Sequence, residues 1–320
     1  MKQIFKSRIL LSVTFGLTIA GIIARTLAYL LYYDAGIGYL VKGNVFSGIW
    51  AAVLAVGIIL SLLIAVFGKK QFTPASNRPS ACTVDAKCSA IISMAACFLG
   101  ALYFINKLID KKPGALTLAG AIACVIAAYH YVTVASGGQA KQTSCLLTGY
   151  VVPIAFTLMI ADMYFEMTIT LNNPDKVMFI CSFMLFMVFY LFELRFMIER
   201  PLPSFYIASG ILAVTVGAAA SVPYLISVFC NVYDRVIMSA SALMILALTI
   251  AFLLRLTSYI RGCDKATINE EISKESGTDN SPTELESVVS VKSDKNDEVK
   301  ESTKPESEDE KSPDTPTDEK

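Results

Sequence analysis

The chain has 320 residues, of which 54% are hydrophobic and 17% charged, with a mean hydropathy of +0.56. Soluble domains carry about a quarter charged residues, and the formal charge of zero hides a seam: residues 262–320 hold 18 Asp and Glu against 8 Lys, which leaves +10 on residues 1–261 and −10 on the rest. These figures exclude a single soluble enzyme domain and a nucleic-acid binder with one uniform field; they predict an all-α, polytopic membrane protein with a disordered acidic tail.

A bilayer core about 30 Å thick needs roughly 20 apolar residues per helix. Eight stretches meet or approach that length: residues 9–32, 46–67, 89–105, 115–134, 146–168, 177–194, 205–229 and 236–254. Leu, Ile, Ala, Val, Met and Phe occupy all faces of these stretches, without the alternation of a barrel strand. Helices also satisfy their own backbone hydrogen bonds in lipid. The first stretch has a basic start but no small-x-small cleavage site after it, so it is expected to be a retained signal-anchor.

The connections carry Pro, Gly and charge, as in Asp110-Lys111-Lys112-Pro113-Gly114 and Asn172-Asn173-Pro174-Asp175. Such residues stop helices by removing a donor or freeing φ. Pro153 and Pro223 fall inside spans and are expected to bend their helices without breaking them. Counting Lys and Arg near span ends gives thirteen on the side of the N-terminus and six on the other. That asymmetry predicts cytoplasmic N- and C-termini. The domain layout is then a helical membrane domain over 1–261 and a cytoplasmic tail over 262–320.

The tail mixes acids, Lys, Ser, Thr and Pro with isolated aliphatic residues, so it cannot bury enough apolar surface to order itself. Its partners are expected to be few: the bilayer for the helical part, a basic cytoplasmic protein for the tail, and no nucleic acid.

Ionisable groups inside spans are costly unless paired or hydrated, so they mark candidate sites. Arg25 lies inside the first span and Asp162 inside the fifth, with Glu166 one turn later on the same face. The two spans run in the same direction and the charges sit at matching depth, roughly 10 Å below the outer boundary at 1.5 Å per residue. An Arg25–Asp162 pair closed by Glu166 is therefore expected, as an ion pair or a substrate site. A second polar cluster is expected near the inner end from His130, Glu193 and Arg195. Small residues gather in the fourth and seventh spans, as in Gly217-Ala218-Ala219-Ala220-Ser221, which signals close helix packing.

Catalytic signatures are missing. There is no G-x-x-x-x-G-K-[ST], H-E-x-x-H or G-x-S-x-G, and His130 is the one histidine available to any triad. Most cysteines lie in or at the ends of spans, and Cys82 and Cys88 share a C-x5-C spacing that is not a zinc signature. Both should be free thiols in a cytoplasmic loop. No metal and no cofactor is expected, and an enzyme is the least favoured class. The first expectation is a small-solute transporter or permease-like protein with a polar site near the outer side. The alternative is a membrane sensor or assembly scaffold whose acidic tail recruits a cytoplasmic partner.

Overall fold

In the computed structural model, residues 7–34, 39–41, 43–68, 84–110, 114–136, 142–166, 173–198, 200–230 and 238–276 are described. The chain divides into two units, Met1–Ser273 and Lys274–Lys320, and the helical bundle is the first. The elements in chain order are α1 (Ser7–Tyr32), β1 (Tyr33–Asp34), β2 (Tyr39–Leu40), α2 (Val45–Phe67), α3 (Val84–Asp110), α4 (Ala115–Ala135), α5 (Gln142–Phe165), α6 (Pro174–Met197), α7 (Pro203–Phe229) and α8 (Ser239–Ser276). All eight helices are long and apolar enough to cross a membrane. The two short strands pair antiparallel, Tyr33 with Leu40 and Asp34 with Tyr39, and turn the chain from α1 toward α2.

Helix ends follow local chemistry. Asn44 caps α2 by accepting from Ser47 N at 2.7 Å, and Asn173 caps α6 by accepting from Asp175 N and Lys176 N at 2.9 and 3.2 Å. Asn side chains satisfy the orphan N–H groups of a first turn in this way. Pro174 and Pro203 open α6 and α7, where a missing N–H costs nothing. Helices α5 and α7 run on through Pro153 and Pro223.

Two boundaries differ from the sequence expectation. The third span, expected over 17 residues, is a 27-residue helix. Its polar ends, Asp85 and Lys107 among them, resemble loop by hydropathy alone, which ignores side chains that find partners. At the other end of the chain, α8 continues to Ser276, past the 261/262 boundary expected for the tail. The acidic segment 277–320 lies outside the described residues, and so does Cys82.

Helix α7 is the centre of the bundle. Buried residues make up 72% of its apolar window, against 17% for α2. It packs against α1, α2 and α6, and its Tyr206 ring lies 5.0 Å from Tyr259 of α8. Helices α3, α4 and α5 pack in succession and close the arc between α8 and α6. The small residues of α7 permit this crowding: a Cβ added at Gly217 would lie 2.8 Å from Phe186, and one at Gly210 would lie 2.8 Å from Phe189. Hydroxyls stitch helices together at carbonyls, Ser61 to Ala208 O at 3.1 Å and Ser89 to Ala251 O at 2.8 Å. Mid-bundle, Phe179, Phe183, Phe186 and Phe189 of α6 are fully buried and meet Phe156, Tyr224, Phe252 and Tyr206. This aromatic column separates two polar ends.

Candidate functional site

At the end where α1, α3 and α5 finish and α2 and α6 begin, six charged side chains form a ladder. Arg25 donates from Nη2 to Tyr29 Oη at 2.7 Å and to Asp175 Oδ1 at 3.2 Å, and Tyr29 itself donates to Asp175. Tyr29 lies one turn beyond Arg25 on the same face of α1, which is why both reach one carboxylate. Asp175 stands in the first turn of α6, where the helix dipole favours an anion. Its neighbour Lys176 donates to the Glu166 carbonyl at 2.7 Å. The Glu166 carboxylate accepts from Lys107 at 2.9 Å, and Lys107 also bridges both oxygens of Asp162 at 2.7 and 2.8 Å. Tyr103 completes the series, donating to Asp162 at 2.9 Å. Along Arg25, Asp175, Lys176, Glu166, Lys107 and Asp162, positive and negative groups balance, and four helices are tied together at one level.

The expected Arg25–Asp162 pair is not formed. Each residue has a different partner, Asp175 for Arg25 and Lys107 for Asp162. Depth alone cannot fix lateral neighbours: α1 packs on α2 and α7, whereas α5 packs on α4 and α6. Asp162 and Glu166 do share a face, and both meet Lys107. Lys107 and Asp175 are absent from the sequence-based site because each lies beyond the apolar span limits. The Asn-Pro-Asp run is the available clue to Asp175, since it is a helix start as well as a turn.

Arg25 also lines a cleft of about 290 Å³. Phe46 and Trp50 of α2, Val177 and Met178 of α6 and Leu40 of β2 line it as well. Both α2 and α6 pack on α7, and the cleft lies between residues of these two helices. The guanidinium lies 6.0 Å from the Trp50 ring centroid. Arg25 is only 5% exposed, and its Nη1 has no hydrogen-bond partner. A buried donor left unmatched costs about 1–3 kcal/mol, or more when charged.

The opposite end holds a second set. Glu193 of α6 pairs with Arg255 of α8, whose Nε donates to Ser89 Oγ at 3.0 Å and whose guanidinium lies 5.7 Å from the Tyr131 ring. His130 is hydrogen-bonded through Nε2 to Tyr190 at 2.7 Å and through Nδ1 to Thr148 at 3.1 Å. The Tyr131 and Tyr190 rings, 6.1 Å apart, join the two groups. Arg195 does not belong to this cluster: it is exposed and donates to the Arg200 carbonyl at 3.3 Å. Two residues along a helix turn a side chain by about 200°, so Arg195 cannot share the face of Glu193. Arg255 takes its place. In the sequence it is a boundary charge, just past the eighth apolar stretch.

Among the described residues, no group of three or more His, Cys, Asp or Glu side chains could hold a metal ion. Compared with protein-family models, curated proteins and solved structures, the chain matches none of them.

Proposed function

We propose that this multi-pass membrane protein is a permease-like carrier that takes up a small solute in the cleft beside Arg25. One observation carries the reading: Arg25, a charged residue buried inside the bundle, lines a cleft whose other walls are almost wholly apolar. Fixed, desolvated donors inside a bundle mark solute pathways in membrane proteins. The charge ladder supports the reading by holding α1, α3, α5 and α6 in register, so that the cleft keeps its shape without a solute. The aromatic column beneath it serves as the closed barrier, since an apolar constriction excludes water and ions. Passage then requires α6 to shift against α7.

With the N-terminus cytoplasmic, the cleft faces the outer half of the bilayer and the His130–Glu193–Arg255 set the inner half. The ladder strengthens that orientation. Of the outer-side charges that weigh against it, Lys107 is paired with Asp162 and Glu166, and Lys176 is buried with its ammonium on the Glu166 carbonyl.

The test is flux. Purified protein in liposomes should carry a radiolabelled organic-anion panel faster than protein-free liposomes, and blocking the cleft with Ser47→Phe should remove the difference. Equal flux with and without protein across the panel overturns the carrier reading.

A further inference from the structure

We propose that Gly21 of α1 sets the size of solute the cleft admits, by letting the Trp50 indole lie back against α1. The proposal rests on the reading of the cleft as a solute site and names the residue that determines its specificity.

The geometry begins with a missing side chain. A Cβ added at Gly21 would lie 2.8 Å from Trp50 Cζ3, 3.3 Å from Trp50 Cε3 and 3.4 Å from the Ala219 methyl. The edge of the indole therefore rests on the α1 backbone, at a point where α1, α2 and α7 meet. Carbon atoms in contact sit about 3.5–4.0 Å apart, so any side chain at position 21 displaces one of these neighbours. A second residue of α1 borders the same ring. Arg25 follows Gly21 by one turn on the same face, and its guanidinium lies 6.0 Å from the Trp50 ring centroid.

Trp50 lines the cleft, so where the indole lies decides how much of the cleft is open. Phe46, one turn before Trp50 on α2, also lines it and leans on α1, with its ring 6.0 Å from that of Tyr32. The aromatic part of the lining is thus carried by α2 but placed by α1.

The effect of a side chain at position 21 follows from which neighbour can give way. Ala219 belongs to α7, the most buried helix of the bundle, and α1 packs along it. The Trp50 ring instead borders a cleft of about 290 Å³. A close-packed helix interface resists a shift of a few tenths of an ångström more than a ring beside open space does. Gly21→Ala should therefore turn the indole away from α1, into the cleft.

The lining makes size the operative criterion. Apart from Arg25 and Ser47 it is apolar or aromatic, and Arg25 is already paired with Asp175 at 3.2 Å. Such a surface offers contact area in place of directed bonds, so it selects by fit. In an apolar pocket one methylene more or less changes discrimination about 10–200-fold.

The chain supplies its own probe, since Trp50 is the one tryptophan in 320 residues. Full-length native protein, Gly21→Ala and Gly16→Ala are compared by fluorescence in phosphatidylcholine nanodiscs. Gly16 also lies on α1, but a Cβ there meets nothing within 4 Å, so its variant controls for the glycine-to-alanine change itself. Gly21→Ala should shift the emission maximum and alter quenching by acrylamide, and Gly16→Ala should match the native chain.

Flux reads the consequence. Native protein, Gly21→Ala, Trp50→Leu and the double variant are assayed in liposomes with the organic-anion panel ordered by size. Gly21→Ala should lose the largest transported members by about tenfold or more relative to the smallest. Adding Trp50→Leu should restore them, because the smaller side chain leaves room for the new methyl. Trp50→Leu alone should admit members too large for the native protein. An unchanged emission in Gly21→Ala, a uniform loss across all sizes, or no rescue by Trp50→Leu overturns the role of Gly21 and leaves the carrier reading standing. Absence of flux for every member with native protein overturns the carrier reading, while the emission comparison still decides whether Gly21 places the ring.

Discussion

Asp162 and Lys107 form a two-pronged ion pair, the ammonium lying 2.7 and 2.8 Å from the two carboxylate oxygens, and Glu166 shares the same ammonium at 2.9 Å. Removing one side of a buried pair leaves the other charge uncompensated, which costs about 3–5 kcal/mol. Lys107→Ala takes the ammonium from two carboxylates, while Asp162→Ala leaves Lys107 with Glu166. The lysine variant should therefore be the less stable, by about 1 kcal/mol or more, and the double variant should recover part of its loss. Thermal melting in detergent reads all three. The reverse order would show that Glu166 does not use Lys107.

Arg25 and Asp162 belong to opposite ends of the ladder. Arg25→Ala and Asp162→Ala should be additive to within about 0.5 kcal/mol. Arg25→Ala with Asp175→Ala should fall well short of additive, because the two charges face each other directly. A coupling energy larger for Arg25 with Asp162 than for Arg25 with Asp175 would contradict the ladder.

The opposite end makes a parallel prediction. Arg255→Met should destabilise the bundle by about 3 kcal/mol through the stranded Glu193, and adding Glu193→Leu should restore most of the loss. If the double variant is no better than the single one, the pair contributes through Ser89 and Tyr131 instead.

Glycines offer a test of packing that involves no charge. Gly217→Ala places a methyl 2.8 Å from Phe186, and Gly120→Ala places one 2.5 Å from Phe104. Overpacking of this kind costs about 1–3 kcal/mol. Gly16→Ala and Gly48→Ala meet nothing within 4 Å and should be neutral or slightly stabilising, since alanine is the better helix former. Equal melting temperatures for the four variants would show that α7 and α4 are less tightly packed than these distances imply.

Two exposed thiols at opposite ends settle the orientation. Cys88 lies in the first turns of α3 and Cys230 just past α7. In intact cells, a membrane-impermeant maleimide should label a protein carrying only Cys230 at once. A protein carrying only Cys88 should react after permeabilisation. The opposite pattern would invert the topology.

The spans are legible in the sequence because lipid imposes one requirement, length and apolarity, on every crossing segment. The costly groups, Arg25, Asp162 and Glu166 among them, are legible for the same reason. Their partners are not. Hydropathy assigns a residue to a depth, whereas a partner is chosen by the order of helices around α7, which no local pattern encodes. Lys107, Asp175 and Arg255 are the cases in point. Each is a charged residue at a helix end, where a loop charge and a buried partner have the same sequence signature. The cleft is invisible for a related reason, since Trp50 and Val177 are ordinary apolar residues until α2 and α6 are set apart.

The centrality of α7 has a consequence for biosynthesis. Arg25 enters the membrane with α1, but Asp175 follows 150 residues later, and α7 later still. At about 5–20 residues per second, roughly 8–30 s pass before the guanidinium meets its carboxylate. Through that interval α1 and α2 carry an unmatched charge and have no central helix to rest on. Early helices must then be sheltered by the insertion machinery or remain shallow until the seventh is threaded. Ribosome-bound chains truncated before α6 should accordingly leave Arg25 within reach of water, and chains extended past α7 should withdraw it.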